Sequence, residues 1–227
     1  MTLLLNTSPV TNSPVVSSVL TYDQAWDLVG GFSSPSKMPC YSWSISARDC
    51  RTGSKLRKIA DSVCSKCYAM KGNYNFPCVV NAHTKRLNAV KGPRFVEAFV
   101  YLIKCLDQKH FRLFDSGDLQ STSMLRKFVE IARECPEVEF WMPTKEYKIV
   151  TSYLASGGII PNNLTIRLSG YMIDADGPVA IAKKNGLVIS EVRTVGYNCP
   201  SSTTGNKCAT CRACWDKKTF NVVYKRH

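Results

Sequence analysis

The chain has 227 residues, 44% of them hydrophobic and 21% charged, which is ordinary globular usage and enough to bury a real core without cross-links. Its net charge of +13, from 30 basic against 17 acidic residues, argues for polyanionic partners, with nucleic acid the commonest of them. The opening Met1-Thr2-Leu3-Leu4-Leu5 turns polar at Asn6, too short an apolar run for a signal peptide or a membrane span, so no membrane partner is expected. Eleven cysteines, an odd number, in a chain without a secretory signal read as metal ligands or core thiols in a reducing compartment, and not as a disulfide framework.

In chain order, residues 1–20 read as an extended arm with one edge strand, and 22–29 as a short helix stopped by Gly30-Gly31. Together they form an expected N-terminal arm over residues 1–36. Residues 37–78 hold five cysteines, many basic residues and little periodicity. A stretch of that kind needs something besides apolar packing to order it, and a metal would serve. Two helices are expected over 79–90 and 93–108, the second with Pro93 in its first turn and Phe95, Phe99 and Ile103 at helical spacing.

An alternation follows. Strands are expected at 111–114, 138–141, 164–168 and 187–190, separated by helices at 122–135, 147–155 and 178–184. Strand starts about 25 residues apart match the size of a βα unit. The expected class is therefore α/β, with a parallel sheet and helices packed outside it, either open or curled into a partial (β/α) barrel. This core is assigned to residues 37–198. Residues 199–227 break the alternation and read as a cysteine-rich C-terminal appendage, ending in the apolar run Phe220-Asn221-Val222-Val223-Tyr224.

Eight cysteines fall into two groups. Cys199, Cys208, Cys211 and Cys214 contain a C-x2-C-x2-C run, which sets three thiolates on a tight loop and suits three irons of a [4Fe-4S] cubane, with Cys199 at the fourth corner. Structural zinc, the alternative, more often uses two separated C-x2-C knuckles. Cys40, Cys50, Cys64 and Cys67 form a looser quartet in which Cys64 and Cys67 are the natural pair, and Cys78 is a substitute for one of its members. One or two clusters are expected. Cys105 and Cys135, on the apolar faces of expected helices, read as small core hydrophobes.

In a parallel α/β protein, chemistry collects where strands end. The expected rim carries Ser116, Gly117 and Asp118, then Thr144 and Lys145, then Arg167 and Ser169, and finally Arg193. Glycine lets a ligand approach the backbone, and the three cations suit a carboxylate or phosphate, so a small-molecule or nucleotide-like ligand is expected there. The three histidines support no nucleophilic or zinc-hydrolase site, and His83 reads as a surface residue.

The segment Val63-Cys64-Ser65-Lys66-Cys67-Tyr68-Ala69-Met70-Lys71-Gly72-Asn73-Tyr74, with Ser116-Gly117-Asp118, Pro143-Thr144-Lys145 and the closing C-x2-C-x2-C, resembles the bacteriophage gene-product-88 family. The resemblance implies a phage-encoded protein acting in the host bacterial cytoplasm, with a fold akin to the radical-SAM partial barrel. Radical-SAM enzymes use C-x3-C-x2-C, a spacing this chain lacks, and a fully ligated cubane has no iron free for S-adenosylmethionine. That cofactor is therefore left open. Two functions are expected to compete. The first is an iron–sulfur protein with redox or enzymatic chemistry at the rim. The second is a non-catalytic basic module, stiffened by iron–sulfur or zinc sites, that binds nucleic acid or a host protein.

Overall fold

The computed structural model of the chain describes residues 19–226. The extended arm expected over residues 1–20 lies outside them, except for Val19 and Leu20. A helix α1, Tyr22–Val29, opens the described chain. Thr21 caps it by accepting from the Gln24 amide, while the Gln24 side chain accepts from the Thr21 amide, so two otherwise unpaired donors are satisfied together. A two-residue strand β1, Ser42–Trp43, precedes the short helix α2, Arg51–Leu56. Helices α3, Pro77–Ala89, and α4, Phe95–Leu106, then lead into the alternation. It runs through β2 (His110–Leu113), α5 (Thr122–Glu134), β3 (Glu139–Thr144), α6 (Tyr147–Ala155), β4 (Leu164–Ile173), α7 (Val179–Lys184) and β5 (Val188–Arg193). The last strand is β6, Asn221–Lys225.

All six strands are parallel and lie in sequential order in one open sheet. Four strands were expected. The added two are the edges, and each has a reason to escape a pattern search: β1 is two residues long, and β6 lies beyond the cysteine-rich stretch. The expected C-terminal appendage is corrected accordingly, because residues 221–225 complete the sheet against β5.

One set of alternate strand residues, Phe111, Leu113, Phe140, Met142, Leu164, Ile166, Leu168 and Ile189, shares a single core with the helices through Phe95, Phe99, Leu125, Phe128, Val150 and Ala182. Each large side chain of this kind adds about 1.5–3 kcal/mol by leaving water. The helices therefore cover one face only. The opposite face has a smaller core of its own, made by Cys40, Trp141, Cys214, Trp215 and Val222. Coverage of both faces explains why β3 and β4 are buried almost continuously instead of alternating.

Arg167, expected to hold a ligand anion, is fully buried on that second face. Its guanidinium donates to the carbonyls of Cys214 (2.9 Å), Ala213 (2.5 Å), Asp216 (2.8 Å) and Ile189 (3.0 Å). It is a structural clamp between sheet and C-terminal segment, which corrects the expected role. Thr165 donates to the Trp215 carbonyl (2.6 Å), and the Trp215 indole donates to the Phe111 carbonyl (3.0 Å). Two further expectations are corrected by burial: His83 is inside and stacks near Tyr74, whereas Cys105 is exposed.

Arg167→Met should lower stability by about 3 kcal/mol, the scale of leaving several buried carbonyls without donors. Arg167→Lys should restore less than half of that, since one ammonium cannot span carbonyls on both sides. Thermal melts of the two variants check this, and unchanged midpoints in both would refute the clamp.

Candidate functional site

Cys50 immediately precedes α2, and Cys64 and Cys67 lie on the loop beyond it. This loop is fastened to the carboxyl ends of the central strands. The Val63 amide donates to the Tyr171 carbonyl (2.8 Å), the Ile173 amide to the Asp61 carbonyl (2.9 Å), and the Thr52 amide to the Glu146 carboxylate (2.7 Å). Gly53 leaves space between two of the thiols: a Cβ there would stand 3.0 Å from the Cys50 Cβ and 3.5 Å from the sulfurs of both Cys50 and Cys64. Burial, joined by the charges of Asp118, Cys64 and Cys67, pushes the Cys50 thiol well up. Burial also raises Cys64, with Lys145 and Arg57 pulling the other way.

Cys40, grouped with these three by sequence spacing, lies elsewhere. It shares the second-face core with Cys214, and Cys199 packs against the same cluster. The Cys208 amide donates to the Lys37 carbonyl (3.1 Å). Burial pushes the Cys40 thiol up to about 12, with Cys208 adding to the rise and Arg112 and Arg212 opposing it. The physical reason is the short strand β1, which runs between Cys40 and Cys50 and carries them to opposite ends of the sheet. The cysteines thus form a trio (Cys50, Cys64, Cys67) at the strand ends and a quintet (Cys40, Cys199, Cys208, Cys211, Cys214) against the second face. Cys214 is pushed up to about 11 by burial, while the Tyr224 hydroxyl, 3.3 Å from its sulfur, pulls it down. All eleven cysteines are free thiols, and Cys78 is exposed on the first turn of α3. Among the described residues, no three Cys, His, Asp or Glu side chains stand close enough to share one metal ion.

A polar knot joins the two groups. Phe114 has φ +60°, a strained value for a bulky residue, and it turns Asp115 back beneath β1. The Asp115 carboxylate accepts from Ser42 (2.9 Å), Ser44 and Tyr74 (3.1 Å). Tyr68, next to Cys67, donates to the Asp115 carbonyl. Burial alone would raise Asp115, but Arg112 and the Ser44, Ser42 and Tyr74 hydroxyls outweigh it and hold the carboxyl below its usual range. Arg112 also stacks 4.3 Å over the Trp141 ring and donates to the Met38 sulfur (3.1 Å). Its charge is felt by Cys40, Cys208 and Cys214.

Of the expected rim residues, Asp118, Thr144 and Lys145 come together. Asp118 accepts from the Thr144 hydroxyl (2.5 Å) and from the Lys145 and Leu119 amides (2.8 Å each). Burial pushes its carboxyl up to about 6 against those hydrogen bonds, which leaves it ionised at neutral pH. The Tyr171 hydroxyl donates to the Lys145 carbonyl, and the Tyr171 ring stacks on Tyr147, whose hydroxyl donates to the Ser169 carbonyl. Ser116 and Gly117 face β1 instead: Ser116 donates to the Ile45 carbonyl (2.8 Å), and a Cβ on Gly117 would meet Ile45 at 2.4 Å. Arg193 is paired with Asp176 and Glu191. Sequence reading assigned no role to Arg112, Trp141 and Tyr171, and quoted Tyr68 and Tyr74 only within the family-like segment. The signal for Arg112 was its alternation with Phe111 and Leu113, a pattern that ordinarily marks a solvent-facing position.

A family model described as gene product 88 matches residues 11–217, so the chain belongs to that family. No curated protein and no solved structure matches it.

Asp115→Asn should destabilise the protein at pH 7 by on the order of 2–4 kcal/mol, since it strips Arg112 of a buried countercharge. Because the folded carboxyl is held below its unfolded value, that stabilisation is complete above about pH 4 and is lost as pH falls through the folded value. Denaturant melts should therefore show wild type and variant converging in acid. A gap that stays constant down to pH 2 would contradict the charge-based account.

Proposed function

We propose that this gene product 88 family member is an iron–sulfur protein with two cysteine-held centres, supporting redox or enzymatic chemistry at the strand-end rim. The observation that carries this reading is the sorting of eight free thiols into a trio over the strand ends and a quintet against the second face of the sheet. Two of these thiols, Cys40 and Cys214, are buried and the other six are half-buried. So many free thiols gathered in two places are hard to explain as packing alone, since other small hydrophobes would fill the space without their reactivity.

Two features of the protein fit a cluster. The missing Cβ of Gly53 leaves the two sulfurs of Cys50 and Cys64 open toward each other. Buried N–H groups of Arg57 (Nε), Arg112 (Nε) and Trp141 (Nε1) have no hydrogen-bond partner, and such orphans are rare enough to call for an acceptor of the kind thiolates and inorganic sulfides provide. Arg57 is close enough to raise the acidity of Cys50 and Cys64, and Trp141 packs with Cys40 and Cys214.

Cys50, Cys64 and Cys67 would hold the first centre, and four of the quintet the second. Three cysteines leave one iron of a cubane without a protein ligand, the arrangement by which radical-SAM enzymes bind S-adenosylmethionine. The sequential order of six parallel strands with helices on one face is also that of a partial (β/α) barrel, and it supports kinship with that core. A cluster at the trio would supply one-electron transfer and a seat for an external ligand. The chain's own residues give that seat a polar wall, with Lys145 beside Cys64 and Asp118 fixed by three donors.

Protein purified without oxygen should be brown, absorb near about 400 nm, and contain iron with acid-labile sulfide. Cys64→Ser should remove about half of the iron, and Cys208→Ser the other part. Cys40→Ser should deplete the same iron as Cys208→Ser and leave the Cys64-dependent spectrum intact. Gly53→Ala should lower the iron of the first centre alone. Colourless protein with stoichiometric zinc would overturn the proposal, and a Cys40→Ser variant that behaves like Cys64→Ser would overturn the division of the ligands.

A further inference from the structure

We propose that the cap over the cysteine trio binds single-stranded nucleic acid, with bases stacked on Phe76 and Tyr68 and phosphates held by Lys55, Lys58, Lys66 and Lys71. Between residues 48 and 78 the chain has seven basic side chains against two acidic ones, Asp49 and Asp61. The three arginines are engaged within the fold: Arg48 donates to Asn75, Arg51 to the Gln120 carbonyl and Arg57 to the Ala47 carbonyl. The four lysines are exposed, and none forms an ion pair or side-chain hydrogen bond among the described residues. Elsewhere Lys85, Arg94 and Arg193 do find acidic partners.

Two large aromatic rings lie exposed within this charge, Phe76 at 53% and Tyr68 at 50%. Neither exposure is a loose end. Tyr68 is anchored through its hydroxyl to the Asp115 carbonyl and packs edge-on to Tyr74 at 5.8 Å, while the Asn75 side chain donates to the Met70 carbonyl. The Tyr68 ring is thereby fixed with its hydroxyl end inside and part of the ring at the surface, and hydrogen bonds to Asn73, Val79 and Val80 fix the Phe76 backbone. Rigid exposed aromatics among unpaired lysines match what unpaired bases and a phosphate backbone require, since every base offers a stacking face and the lysines track the charge. Duplex nucleic acid buries its base faces and would use only the lysines. The binding requires neither cysteine group to hold iron.

The test is fluorescence anisotropy with labelled 20-nucleotide oligo-dT and oligo-rU, a duplex of the same length, and polyglutamate as competitor, on the full chain with its iron content measured in the same sample. Binding of one or both single strands should fall with salt at a log–log slope of roughly −3, as four lysine–phosphate contacts give. Phe76→Ala should weaken binding about tenfold or more at an unchanged slope, and Lys55→Gln with Lys58→Gln should reduce the slope by about half. Tyr68→Phe, which keeps the ring but loses its anchor to the Asp115 carbonyl, should bind more weakly than wild type and more tightly than Phe76→Ala. A preference for dT over rU, or the reverse, tells DNA from RNA. No binding at low salt, equal affinity for the duplex, displacement by polyglutamate at matched charge, or a Phe76→Ala variant that melts and binds like wild type would each overturn the proposal. Iron content leaves it untouched, so its failure is separable from that of the iron–sulfur reading.

Discussion

A parallel sheet needs cover on both faces, and this chain has helices for only one. Six strands in sequential order put every connecting helix on the same side, so the other face would present Trp141, Thr165, Arg167 and Val222 to water. The chain meets the requirement with irregular segments, and those segments carry five of the eleven cysteines. Arg167 is the main fastening. Backbone without regular structure has no internal partners for its carbonyls, and one buried guanidinium satisfies those of Ala213, Cys214 and Asp216 while staying attached to the sheet through Ile189. Its burial without a carboxylate depresses its pKa, chiefly through lost hydration, and the carbonyl dipoles take the place of a counterion.

From that arrangement follows the separation of the two cysteine groups. One lies against the uncovered face; the other sits over the strand ends, fastened through Val63, Asp61 and Thr52. Between them the Arg112–Asp115 knot contributes a buried positive and a buried negative charge, each surrounded by hydroxyls, sulfur or an aromatic face. An isolated buried charge would be costly. The field of Arg112 offsets the burial of Asp115, and the Asp115 carbonyl fixes the Tyr68 hydroxyl beside the trio loop.

The helical part of the fold was legible in the sequence because its signal is local. The periodic apolar residues of α5, Leu125, Phe128, Val129 and Ala132, are all buried, and Ser121 caps the helix by accepting from the Met124 amide. What escaped is non-local. Arg112 and Trp141 sit on strand faces that alternation marks as outward, and only the return of residues 199–216 makes them interior. Cys40 was misgrouped because sequence distance measures proximity only when no strand intervenes. Asp118, read from the sequence as a rim residue, also ties the end of β2 to that of β3, a contact across 26 residues that no local motif announces.

The same reasoning separates the two uses of positive charge in this protein. Arginine is found where fixed, branched donation is needed: Arg167 on four carbonyls, Arg48, Arg51 and Arg57 on the trio loop and its neighbours, and Arg112 within the knot. Its planar fork keeps its charge even when desolvated, so it tolerates the interior. Lysine, a strongly hydrated point charge, remains outside on the same loop at Lys55, Lys58, Lys66 and Lys71. Removing one of those lysines should alter what the surface attracts without loosening the fold. Removing one of the arginines should loosen the fold first, and any loss of binding would then be secondary. Of the net charge of +13, the part carried by Arg48, Arg51, Arg57, Arg112 and Arg167 is engaged in hydrogen bonds within the fold, whereas Lys55, Lys58, Lys66 and Lys71 leave theirs at the surface beside the trio.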